Sequence, residues 1–148
     1  MIATYWPHLL AMLVGGALTV QVGMNATLAR VIGSSLWASA ISFAIGLVAL
    51  IGFATVVGSR AATGHFGQVP AWGWMGGLLG AVYVASVTIL GPRLGGMTLV
   101  ALVIAGQLLV ALAVDQFGIL GYPQIAVTPS RLLGAALLLA GALLVMRR

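Results

Sequence analysis

The chain has 148 residues, of which 62% are hydrophobic and 5% charged, with a mean hydropathy of +1.21 and a formal net charge of +5. A water-soluble domain carries about a quarter charged residues, so this composition excludes a soluble surface and places the chain in a bilayer. Cys is absent and Asp115 is the one acidic residue, with His8 and His65 near the ends of apolar runs, which excludes a disulfide framework, a thiolate nucleophile and paired-carboxylate catalysis, and leaves no donor set for a metal or cofactor.

A membrane-spanning helix needs about 20 apolar residues, and the sequence predicts five, in one transmembrane domain covering residues 1–148. Their expected bounds are 5–29, 36–57, 71–90, 97–114 and 131–146. The runs are rich in Leu and Ala and lack polar alternation, so helices are expected rather than barrel strands. The fold class is all-α.

The first helix has no basic segment before its apolar run and continues into Gln21 and Asn25, so it reads as a retained helix and not a signal peptide. Gln21 and Asn25 are four residues apart and share a face. An amide in lipid without partners costs several kcal/mol, so this face meets protein, water or substrate. Either a polar stripe facing substrate or an interhelical clamp satisfies that demand. The short 30–35 connection makes the first two helices an antiparallel hairpin.

In the second helix, Ser39, Ala40 and Ala44 present small side chains, and Ser39 and Ser42 are expected to bond within their own helix. A polar loop follows, from Ser59 to Pro70. The third helix carries Gly76 and Gly80 in GxxxG spacing, which permits close helix approach. Tyr83 and Ser86 share a face in mid-span, where Tyr83 suits a pocket wall with a hydroxyl handle. Trp72 and Trp74 are expected in the interfacial aromatic belt, as are Tyr5, Trp6 and Tyr122. Residues 91–96, Gly-Pro-Arg-Leu-Gly-Gly, read as a tight break, with Pro92 ending the helix.

The fourth helix holds Gln107 near mid-membrane and Asp115 near its end, two turns apart on one face. Gln107 is a candidate ligand contact. Asp115 is either a proton-coupling carboxylate or a structural group paired with an arginine such as Arg131. A longer connection with Pro123 and Pro129 leads to the last helix, for which Ser130 is the expected N-cap. Gly134, Ala136, Ala140 and Gly141 give that helix small faces.

The six arginines stand singly at the ends of the apolar runs. This is the distribution of membrane-flanking charges, with no aromatic-interleaved basic patch for nucleic acid. Five spans put Arg30, Arg93, Arg147 and Arg148 on one side and Arg60 and Arg131 on the other. The excess favours a cytoplasmic C-terminus, yet it is small enough to allow insertion both ways.

Several fragments carry a family resemblance in order and spacing. They are residues 21–30 (QVGMNATLAR), Gly33-Ser34, Ser42-Phe43 with Gly46, residues 76–84 (GGLLGAVYV), residues 92–95 (PRLG), residues 106–109 (GQLL), residues 115–118 (DQFG), and Ser130-Arg131 with Gly134. The chain resembles the YdcZ-type five-helix inner-membrane proteins of the drug/metabolite transporter (EamA-like) superfamily. Where that family often shows His after the Asp, this chain has Gln116.

The resemblance implies a multi-pass protein of the bacterial cytoplasmic (inner) membrane that transports small molecules. It also implies a half-transporter bundle that needs a second copy, an inverted homodimer or a paralogue, to enclose a pathway. On that expectation Gln21, Asn25, Tyr83 and Gln107 contact substrate, with Asp115 as a proton-sensitive gate or structural anchor. Amides and hydroxyls with almost no fixed charge suit neutral, aromatic or weakly charged metabolites. The rival expectation is a non-transporting subunit whose small-residue faces bind partner helices. Its polar groups would be satisfied inside the bundle.

Overall fold

A computed structural model describes residues 2–60 and 63–147. Among them stand five helices long and apolar enough to cross a membrane, and no strand. These are α1 (Ile2–Ile32), α2 (Ser35–Val56), α3 (Met75–Leu94), α4 (Gly96–Phe117) and α5 (Pro129–Met146). Two 3-10 turns, Thr63–Gln68 and Ala71–Trp74, lead into α3. Arg148 and the side chain of His65 lie outside the described residues.

Large apolar side chains stand outward on every helix, including Leu13 at 72% exposure and Val48 at 71%. Such surface is stable only against hydrocarbon or another apolar face. The buried positions are mostly small or β-branched: Ala26, Ala38, Val87, Val114, Ala135 and Ala142. Lipid offers no hydrophobic drive between helices, so backbones must approach closely to gain dispersion contacts, and small side chains allow it.

The chain forms two compact units, 1–93 and 94–148. In the first, α1 and α2 make the expected hairpin. Gly33 turns it at φ +77°, and the Ser34 hydroxyl accepts from the Trp37 amide to cap α2 at 3.3 Å. Side chains of α2 and α3 meet at two places. The Ser39 hydroxyl donates within its own helix to the Ser35 carbonyl at 2.9 Å and also reaches buried Thr88 at 3.4 Å. Gly80 lies under Phe43, where an added Cβ would stand 3.5 Å from the ring. The partner glycine of the motif, Gly76, has nothing within 4 Å.

Two local boundaries differ from the sequence reading. Helix α3 does not break at Gly91-Pro92 but continues to Leu94. Proline disfavours a helical residue before it by crowding that residue's Cβ, and Gly91 has none. The break falls instead at Gly95, with φ +81° and ψ 152°. Helix α5 is capped by Thr128 and not Ser130: the Thr128 hydroxyl accepts from the Arg131 amide at 3.3 Å. Pro129 then takes the first helical position, where its missing N–H leaves nothing unsatisfied.

In the second unit, α4 and α5 pack together, and the connector between them is fastened to the end of α4. Gly118 closes α4 in the left-handed conformation at φ +59°. The Ile125 amide donates to the Asp115 carbonyl at 2.8 Å. The Val127 backbone amide donates to the Gln116 side-chain oxygen at 2.8 Å, and the Gln124 side-chain amide (Nε2) donates to the Gln116 backbone carbonyl at 3.1 Å.

Candidate functional site

The first unit holds three of the residues singled out by sequence. Gln21 and Asn25 lie one turn apart on α1, and Tyr83 lies on α3. Gln21 and Tyr83 are half-buried, whereas Asn25 retains only 5% of its surface. None of their side chains has a hydrogen-bond partner among the described residues. Among the described residues no buried polar side-chain atom lacks a partner, so the little surface Asn25 keeps includes its amide atoms. An unpartnered amide at this depth of burial is costly, so a partner beyond the described residues is needed to satisfy it.

The second unit holds Gln107 and Asp115 on one groove of about 600 Å³ along α4. Its floor is Gly106, Val110, Ala111 and Val114, and the connector supplies Leu120 and Tyr122 as a wall. This volume is within the usual range for small-molecule sites, and an apolar lining with a few polar groups is their usual chemistry. Gln107 lies at the midpoint of α4, is exposed, and has no partner among the described residues. At that depth neither lipid nor a neighbouring side chain satisfies the amide, which favours occupancy by water or a hydrogen-bonding molecule.

Asp115 is paired. Arg131 Nη2 donates to its carboxylate, and Arg131 Nη1 donates to the Ile125 carbonyl at 3.3 Å. The pair joins α4 to α5, is about two-thirds or more withdrawn from solvent, and carries no net charge. Arg131 is the partner that the sequence reading named for the structural role of Asp115. Asp115 therefore enters the groove as part of a neutral pair.

Sequence reading missed the connector. Tyr122, assigned there to the aromatic belt, lines the groove, and Leu120 beside it adopts φ +59°, a region that side chains other than glycine rarely enter. Gln116, standing where the resemblance would place His, holds the connector instead. The signal present in the sequence was Gly118 and Gly121, both at positive φ, which bracket a turn rather than an extended loop. Among the described residues no cluster of His, Asp and Glu could hold a metal.

Compared with protein families, residues 6–144 match the family described as "Putative inner membrane exporter, YdcZ". The chain belongs to the YdcZ family. No curated protein and no solved structure matches. Membership and five apolar helices together make this YdcZ protein a multi-pass protein of the inner membrane with a transporter role. The YdcZ match spans both compact units, so the groove on α4 and the open amides of α1 both lie inside the family region.

Proposed function

We propose that the chain is a small-molecule exporter that works as a dimer of five-helix chains by alternating access. The observation that carries the reading is Gln107: an unpartnered amide at the centre of a membrane-spanning helix, facing an apolar groove of ligand size. Family membership supports the same reading. Gln21, Asn25, Tyr83 and Gln107 contact the substrate, and the lipid bilayer covers the remaining apolar faces. Asp115, held by Arg131, serves as the latch of the connector. The partner is a second copy in inverted orientation, which an arginine distribution as even as four to two permits. The substrate is neutral, aromatic or weakly charged, because the open groups are amides and a phenol. No covalent chemistry is needed for this function.

A non-transporting scaffold would have its amides satisfied within the bundle, and those of Gln21, Asn25 and Gln107 have no partner among the described residues. The deciding experiment is efflux of a panel of neutral aromatic metabolites from cells expressing Gln107→Ala. Flux is expected to fall on the order of tenfold, the loss of one well-made hydrogen bond, with membrane expression unchanged. Undiminished flux, or lost assembly in its place, would overturn the assignment.

A further inference from the structure

The α4 groove has polar groups towards both ends and an apolar floor between them. Gln107 and Asp115 are eight residues apart, about 12 Å along the helix axis, with Val110, Ala111 and Val114 between. Arg131 neutralises the Asp115 end. The hydrogen-bonding groups left without partners are the Gln107 amide and the Tyr122 phenol.

Tyr122 stays at the C-terminal end of α4 because the turn fixes it there. The Ile119 amide donates to the Val114 carbonyl at 3.3 Å, and the Tyr122 amide to the Ile119 carbonyl at 3.2 Å. Leu120, in its rare left-handed conformation, is held in the groove wall by the same turn. Backbone conformations of this kind concentrate where a surface meets a ligand.

We propose that the 118–122 turn is the specificity wall of this groove, and that the groove takes an uncharged, elongated amphiphile with a hydrogen-bonding group at each end. Gln107 meets one end and Tyr122 the other. The proposal rests on the reading of the groove as the exporter's substrate site. A charged end group is disfavoured: Asp115 is already paired with Arg131, so the groove offers no net charge to offset it, and it would lose hydration against apolar walls.

The test uses the full chain in nanodiscs and a photoreactive 1,10-decanediol with a mid-chain diazirine, its labelled residues mapped by mass spectrometry. Labels are expected on Val110, Ala111, Val114 or Leu120. Excess unlabelled decanediol should protect, and decylammonium or decanoate at the same concentration should not. Tyr122→Phe removes only the hydroxyl and should weaken labelling about fivefold to tenfold. Equal protection by the ammonium or the carboxylate would overturn the proposal, as would labelling indifferent to Tyr122→Phe. Correct labelling combined with normal flux in Gln107→Ala would uphold the binding and overturn the exporter reading. Lost flux with labels elsewhere would do the reverse.

Discussion

Asp115 and Arg131 illustrate how much one charged pair can do in a chain with a single acid. Their bond ties α4 to α5, and the Asp115 carbonyl and the Arg131 guanidinium both hold the connector backbone at Ile125. Removing either partner strands a charge in a place largely withdrawn from solvent. Asp115→Asn or Arg131→Gln should each cost about 1.5–3 kcal/mol, the value of hydrogen bonds to charged groups. Arg131 keeps 34% of its side-chain surface, which puts the expectation at the lower end of that range through solvent screening. Thermal melting in detergent measures this, and the double variant should melt well above the additive expectation. Additive losses would show that the two residues act separately. The sequence named this partnership because an isolated carboxylate near a helix end has few ways to be satisfied. It did not reveal that Gln116 and Gln124 complete the fastening, since neither a glutamine in the last turn of a helix nor one in a connector carries a pattern that names its partner.

At the scale of elements, the helices were legible and their ends were not. Five apolar runs specify five spans because the bilayer demands it, whereas the ends depend on single residues. Gly91 lets α3 pass through Pro92, and Thr128 with Pro129 moves the start of α5 ahead of Ser130. Gly118 shows the same dependence. A Cβ there would lie 2.9 Å from the Gln124 Cβ and 3.2 Å from its Cα, at φ +59°. Gly121 also has positive φ, at +84°, but nothing within 4 Å. Gly118→Ala should therefore loosen the connector by more than the roughly 1–2 kcal/mol of left-handed strain, and Gly121→Ala by about that strain alone. Hydrogen exchange at residues 119–127 reads the difference, and equal protection in the two variants would refute the role of Gln124. Gly80 tests the α2–α3 contact. Alanine fits, because its Cβ meets Phe43 at an ordinary 3.5 Å. Leucine should cost about 1–3 kcal/mol through overpacking. A melting temperature in Gly80→Leu equal to that of Gly80→Ala would mean that Phe43 yields freely.

For the whole molecule, the open question is what meets the unpartnered amides. Gln21, Asn25 and Gln107 were legible as candidates, because an amide in an apolar run is expensive wherever it lies. Their surroundings were not legible, because the sequence does not record which faces remain uncovered. The inverted-dimer proposal makes a direct prediction about topology. The chain has no Cys, so a single cysteine at Gly67, in the connection before α3, or at Arg147, after α5, gives one addressable thiol. Three spans, α3, α4 and α5, separate the two sites, so they report opposite insertions. An impermeant thiol reagent on intact cells should label each site in about half of the molecules, since a four-to-two arginine distribution does not enforce one orientation. Arg131 adds weight to this expectation. Its charge is engaged by Asp115, yet positive residues near helix ends still act on insertion individually rather than as net charge. Replacing Arg60 with Ala should shift the population towards a cytoplasmic C-terminus by weakening the opposing signal. Labelling of Gly67→Cys alone in the otherwise unaltered chain would establish a single orientation. The second half of the transporter would then have to be a different, oppositely inserted chain.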